Sequence, residues 1–195
     1  MATLDFFFDP GCPWTWRTSR WVTEVAPQRD VEVRWRAYSL DMKNEKPPTT
    51  AQGALRIVEA VWADHGDDPI GRLYTEVGTR FHLQEDTSLD ALAGALKAAG
   101  LDAGYLAAAN EDRWDAEVRW SMDEAIGVVG DDVGVPILVF DGEVGLCGPV
   151  MEPIPAGQEA VDLWDRVVAL ARTPGFYELK RSRNFTLPSR RDRPL

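Results

Sequence analysis

The pattern of apolar and polar positions divides the chain into stretches of different period. At the start, Phe6, Phe7 and Phe8 close an apolar run that reads as a buried strand, and Asp9-Pro10-Gly11 reads as a turn. Pro13 stands where a helix would begin, because its missing N–H is not needed there. Trp14, Trp21, Val22 and Val25 then recur at helical spacing to about Ala26, where Pro27 stops the helix. Residues 31–40, VEVRWRAYSL, alternate as a half-buried strand does. Strand, helix and strand with short connections predict a right-handed βαβ unit and a parallel pair.

From Pro47 to about Val129 the period is helical and alanine-rich, with no run that reads as a strand. Helices are predicted over 50–63, 70–81, 89–99 and 113–129, with a shorter turn near 105–109; Ser88 caps the third helix and Gly100 ends it. Such a block is too long for a crossover and predicts a helical subdomain inserted into an α/β unit. Its Trp62, Phe81, Trp114 and Trp120 are expected in the core, as amphipathic faces usually are. Strand period returns over 135–140, Asp141-Gly142 is a hairpin signal, and 143–147 is the return strand. A two-residue loop there would pair Phe140 with Glu143 and Cys147 with Pro136. After the Pro-rich link 149–155, a last helix is predicted over 160–172. The expected division is 1–46 for the first α/β half, 47–129 for the insertion, and 130–195 for the second half with a basic tail.

Composition narrows the function classes. At 195 residues with 45% hydrophobic positions and 8 Trp, the chain can bury a full core. No apolar run approaches the ~18 residues of a membrane helix and the N-terminus runs straight into a strand, so a soluble cytoplasmic protein is expected. A net charge of -11 disfavours nucleic acid and anionic membranes as partners. The charge is uneven: Lys180, Arg181, Arg183, Arg190, Arg191 and Arg193 make the last residues basic, and the tail is expected to fold over an acidic body. Two cysteines do not suggest a disulfide framework, and His65 and His82 lack ligand spacing, so no metal is expected. Gly127, Gly130 and Gly134 do not follow a strand and open a helix, which argues against a dinucleotide site.

The chemistry concentrates at Cys12, the predicted N-cap of the first helix. Unpaired backbone N–H groups and the positive end of the helix dipole would favour its thiolate, the nucleophilic form. Three residues on, where C-x-x-C redox proteins carry a second cysteine, stands Thr15. Its hydroxyl can donate to the thiolate but cannot form a disulfide, so the site is expected to take its second thiol from a small molecule or partner. Cys147 is expected to stay free, about two strand spacings from the first strand and too far to bridge Cys12.

The element order, with a cysteine after the first strand and Val135-Pro136 opening the third, resembles the thioredoxin fold with a helical insertion, as in DsbA-like proteins. That resemblance implies a cis-proline at Pro136 beside the cysteine. The segments FDPGCPW (8–14), TSRW (18–21), GVP (134–136), GPV (148–150), LWD (163–165) and ELKR (178–181) resemble the actinobacterial mycothiol-dependent nitroreductase family. The best-known members of that family have CPWC where this chain has CPWT. The resemblance implies a thiol-disulfide oxidoreductase or mycothiol-dependent reductase with Cys12, Thr15 and Pro136 catalytic and Pro13, Trp14 and Val135 against the substrate. No cofactor would be bound tightly, mycothiol would be the co-substrate, the partner an electrophilic or disulfide substrate, and Trp-rich surfaces would suit a homodimer. Two alternatives stay open. One is a kappa-class glutathione transferase or 2-hydroxychromene-2-carboxylate isomerase type of enzyme, which uses serine at the position of Cys12. The other is a non-catalytic DsbA-like binding module.

Overall fold

In the computed structural model, which describes residues 2–182, the chain begins with β1 (Ala2–Phe8), α1 (Pro13–Val25), a 3-10 turn (Ala26–Arg29) and β2 (Val31–Ala37). A long helical stretch follows: α2 (Leu40–Lys43), α3 (Thr50–His65), α4 (Ile70–His82), α5 (Leu89–Ala98), 3-10 segments Ala103–Asn110 and Asp112–Trp114, and α6 (Asp115–Val129). It ends with β3 (Ile137–Phe140), β4 (Val144–Cys147) and α7 (Gly157–Ala171). The sheet order is β2-β1-β3-β4, with β1 parallel to β2 and β3 antiparallel to both β1 and β4. This is the thioredoxin fold with a helical insertion of the DsbA kind.

The period-2 pattern of β1 explains how the sheet is held. Leu4, Phe6 and Phe8 are fully buried. Phe6 meets Trp35 at 4.9 Å between ring centroids, Phe8 stacks on Tyr74 at 3.9 Å, and Phe140, which pairs with Leu4, meets Trp164 at 5.7 Å. Trp164 in turn lies 5.6 Å from the fully buried Trp21. The Trp21 indole N–H donates to the Ala160 carbonyl at 2.9 Å, which ties α1 to α7 without leaving a buried donor unsatisfied. The alternate residue Asp5 carries charge instead, binding Arg34 at 2.9 Å and Arg36 at 3.3 Å.

The approach of α4 to α1 depends on one glycine. A Cβ on Gly78 would stand 2.2 Å from the ring of Trp16, closer than any real contact. On helix propensity alone, Gly to Ala stabilises by ~1 kcal/mol. The contact reverses the sign: Gly78→Ala is expected to destabilise by ~1 to 3 kcal/mol, as overpacked cores do. Gly127 in α6 has no neighbour within 4 Å of such a Cβ, and Gly127→Ala is expected to stabilise. Urea unfolding of the two variants should move the midpoint in opposite directions.

Four sequence expectations change. β2 stops at Ala37 rather than Leu40, because the Ser39 hydroxyl accepts from the Met42 N–H and caps α2. The β3-β4 loop has three residues, so Phe140 pairs with Val144 and Cys147 with Ile137, not with Pro136. Asp141 causes this. Its backbone N–H still bonds the Thr3 carbonyl and its carboxylate accepts from the Thr3 N–H at 2.9 Å and from Arg172 at 2.6 Å. It therefore stays tied to β1, and the reversal needs Glu143 as well as left-handed Asp141 and Gly142. Trp120 and Trp62 are surface residues, 57% and 37% exposed, while Phe81 is buried and Trp114 half-buried. α6 buries Val118, Ser121, Met122 and Ala125, an i, i+3, i+4, i+7 face that excludes position 120. Finally, α7 starts at Gly157 rather than 160, and α6 starts at Asp115 after a 3-10 turn. Most of the basic tail lies outside the described residues.

Candidate active site

β1 delivers the chain to the carboxyl end of the sheet, and the turn after it is locked from several sides. Asp9 is 4% exposed, and its two carboxylate oxygens each accept a backbone N–H at 2.7 Å, one from Gly11 and one from Leu40 at the start of α2. The Asp9 carbonyl accepts from the Cys12 N–H at 3.0 Å. The Pro10 carbonyl accepts from Nε2 of His82, at 2.8 Å, and His82 stacks on Trp16 with centroids 5.8 Å apart. The turn that presents Cys12 is thus fastened to the β2-α2 junction by a carboxylate and to the end of α4 by an imidazole.

Cys12 is the N-cap of α1 in extended conformation (φ -84, ψ 114), followed by Pro13, and is 8% exposed. Its side chain makes no cap hydrogen bond to the helix. The thiol instead reaches the Val135 carbonyl, with Sγ 3.9 Å from the oxygen. Val135 precedes Pro136, and the peptide bond between them is cis. Cys12 and the Val135-Pro136 pair, far apart in sequence, are therefore brought together, with Val135 and Pro136 buried and Pro13 and Trp14 half-buried at the helix entrance.

Thr15 departs from expectation. It is fully buried, and its Oγ1 has no hydrogen-bond partner among the described residues, so the bond expected from Thr15 to the Cys12 sulfur is not formed. Position 15 lies one turn in from the cap, and the side chain is shut off from solvent. Cys147 is exposed at the end of β4, and its thiol donates to the Gly134 carbonyl at 3.0 Å. Neither cysteine is part of a disulfide, and their sulfurs bond successive carbonyls of the Gly134-Val135 segment.

Two further anchors hold α1 against the link after β4. The Thr18 hydroxyl contacts the Pro149 carbonyl at 2.8 Å, and the buried Arg17 pairs with Glu152. The bonds preceding Pro149 and Pro153 are cis.

Sequence reasoning missed Asp9 and His82 as supports of the site. The Asp9 bond to Gly11 two residues on is a local Asx turn and could have been found. The bonds to Leu40 and from His82 cross 31 and 72 positions and leave no local signal. Burial pushes the Asp9 carboxyl up to about 6, opposed by the N–H groups of Leu40 and Gly11 and helped by the charge of Asp41. Burial also raises the hydroxyl of Tyr74, which lies in the fields of Arg20, Cys12 and Asp9.

The raised Asp9 has a stability consequence. The folded state holds that proton more tightly than the unfolded chain, so the native state binds more protons between about pH 4 and 6 and loses stability as pH rises through that window. The magnitude is ~3 kcal/mol at 1.36 kcal/mol per unit. Asp9→Asn loses an acceptor at every pH but has no proton to release. Its unfolding free energy relative to the native sequence is expected to improve by up to ~3 kcal/mol from pH 4 to 7 in urea titrations.

The chain spans 94% of itself and 84% of the uncharacterized protein Rv2286c of Mycobacterium tuberculosis at 32% identity. Among solved structures, a probable DsbA oxidoreductase from Streptomyces coelicolor matches with a TM-score of 0.60 at 20% identity, over 94% of this chain and 95% of that one. The oxidoreductase DsbA from Xylella fastidiosa matches with a TM-score of 0.57 at 16% identity, over 86% of this chain and 84% of that one. At those identities the structures carry the fold. The match to the family described as Rv2466c-like, mycothiol-dependent nitroreductase Rv2466c, extends over residues 11–181, and the chain belongs to that family.

Proposed function

We propose that this protein is a thiol-disulfide oxidoreductase or mycothiol-dependent reductase that works through the single thiolate of Cys12. The observation that carries the reading is the juxtaposition of the α1 N-terminal cysteine with the Val135 carbonyl and Pro136, in a chain whose family is mycothiol-dependent. The Cys12 thiolate attacks one sulfur of a disulfide substrate, forming a Cys12 mixed disulfide and releasing the other half as a thiolate that takes up a proton. A mycothiol thiolate then attacks that mixed disulfide, forming a new disulfide with the small thiol and restoring the Cys12 thiolate. A second mycothiol releases the remaining half, so two mycothiols leave as one mycothiol disulfide for each substrate disulfide reduced.

In this scheme Cys12 supplies the attacking sulfur from the helix N-terminus, and Val135 and Pro136 position the incoming sulfur. Pro13 and Trp14 form the rim. Thr15 occupies the place of a resolving cysteine and forces resolution by a small thiol. The setting is the cytoplasm, where such thiols are kept reduced. The helical stretch 47–129 acts as a subdomain that closes over the α1 N-terminus, since Ala51 of α3 stands 3.1 Å from where a Cβ on Gly11 would lie.

The test is turnover of a low-molecular-weight disulfide with reduced mycothiol, beside the same assay with glutathione. Turnover with mycothiol that survives Cys147→Ser is expected. Rates no higher than the uncatalysed exchange with either thiol contradict the proposal.

A further inference from the structure

A shallow cleft lies at β2, the edge strand of the sheet, lined by Trp35, Arg36, Val58, Glu59, Trp62 and Trp120. Glu59 on α3 is 8% exposed, and its carboxyl makes no hydrogen bond or ion pair among the described residues. Its oxygens are not sealed from solvent, so the carboxylate lines the cleft and is reachable from it. Around it stand aromatic faces: Trp120 is 57% exposed, and Trp62 is 37% exposed with its indole N–H held by Asp67 at 2.8 Å.

The charges nearby define what would enter. Arg36 also lines the cleft, but its guanidinium is held by Asp5 and Asp67, and Asp5 holds Arg34 as well. Two cations are thus matched by two carboxylates. Glu59 remains, with Glu117 and Glu124 of α6 adding negative charge to its surroundings. The Ser121 hydroxyl is already used as a donor to the Ala37 carbonyl at 2.7 Å, so the free polar function facing the cleft is an acceptor. Trp62 shows that the walls accept a cation, since the Arg36 guanidinium lies 5.8 Å from its ring centroid.

We propose that this cleft is a binding site for a protonated primary or secondary amine carrying an apolar or aromatic stem. The ammonium N–H groups bond the Glu59 carboxylate, and the stem lies along Trp120 and Trp62. The charge comes from the carboxylate and the grip from aromatic surface, the combination used wherever organic ammonium ions are recognised. The site lies on β2, α3 and α6 and needs none of the Cys12 chemistry.

The Glu59 carboxyl is pushed up to about 7 by burial, with Arg36 opposing and Glu117 and Glu124 reinforcing. An amine that stays protonated throughout should therefore bind more tightly above pH 7 than below it.

Benzylamine is the probe, measured by calorimetry and by saturation-transfer NMR on the full chain, with benzyl alcohol as its uncharged counterpart. Saturable benzylamine binding at pH 8 is expected, weaker by about tenfold at pH 5.5, in Glu59→Gln and in Trp120→Ala, with benzyl alcohol binding at least about tenfold more weakly. Trp120→Ala changes a surface side chain and keeps the test valid if Glu59→Gln fails to fold. No saturable benzylamine binding up to about 10 mM overturns the proposal, and so does equal binding by Trp120→Ala or by benzyl alcohol.

Discussion

Cys12→Ser is expected to remove disulfide turnover by about a thousandfold or more while leaving the fold intact. Removal of a nucleophile on which all later steps depend costs as much as removal of the whole reacting set. A serine hydroxyl at the same helix end remains protonated at neutral pH and does not exchange with disulfides. The fold is insensitive because the Cys12 sulfur contributes one weak bond, at 3.9 Å to the Val135 carbonyl, and a hydroxyl can donate to the same oxygen. The supports of the turn are elsewhere: Asp9 to Gly11 and Leu40, and His82 to Pro10. The expected stability change is ~1 kcal/mol, a few degrees in Tm for a chain of this size. A variant that retains near-native turnover while keeping its far-UV and near-UV circular dichroism would exclude Cys12 as the nucleophile.

The second large effect is expected at position 15. Thr15 is fully buried with an unsatisfied hydroxyl, a situation that costs ~1 to 3 kcal/mol. A cysteine of nearly the same shape replaces that hydroxyl by a group content in an apolar setting, so Thr15→Cys should not destabilise the protein. Residues three apart on a helix are neighbours at ~5 to 6 Å, within the span a disulfide can bridge. Mild oxidation of the variant should close a Cys12 to position-15 disulfide in high yield, and the first substrate disulfide should then be reduced without a small thiol, which is needed afterwards only to reduce the internal disulfide. Thiol counting and peptide mapping read the outcome. A variant that stays fully reduced, or pairs with Cys147, would show that positions 12 and 15 do not share one face of the α1 N-terminus.

The residues that bear on these two predictions were legible in the sequence to different degrees. FFFDPGCPW announces strand, turn and helix start because strand period, turn residues and a proline at the first helical position agree with one another over nine residues. The helices of the long middle stretch were legible for the same reason, with boundaries shifted by one or two residues where caps and 3-10 turns intervene. The β3-β4 register was not, since Asp141-Gly142 signals a reversal but the loop length is set by bonds from Asp141 to Thr3 and Arg172, distant in sequence. Trp62 and Trp120 were placed in the core by their hydrophobicity. For Trp120 the helix face that decides its position is defined by smaller residues such as Val118 and Ala125. Thr15 illustrates the limit for chemistry: the sequence shows which group is present at that position, whereas packing decides that its oxygen is buried without a hydrogen-bond partner. Asp9 and His82 show the converse, ordinary-looking residues that become supports of the site only when α2 and α4 are folded against the turn.

The central claim, a one-thiol site resolved from outside, is tested most directly by mass spectrometry of the protein exposed separately to mycothiol disulfide, to glutathione disulfide and to oxidant without any small thiol. One mycothiol on Cys12 is expected, released on addition of reduced mycothiol, with less or none from glutathione, and no Cys12-Cys147 linkage in the absence of small thiols. A Cys12 that stays unmodified by both disulfides would contradict it, and so would a high yield of a peptide linking Cys12 to Cys147 at neutral pH.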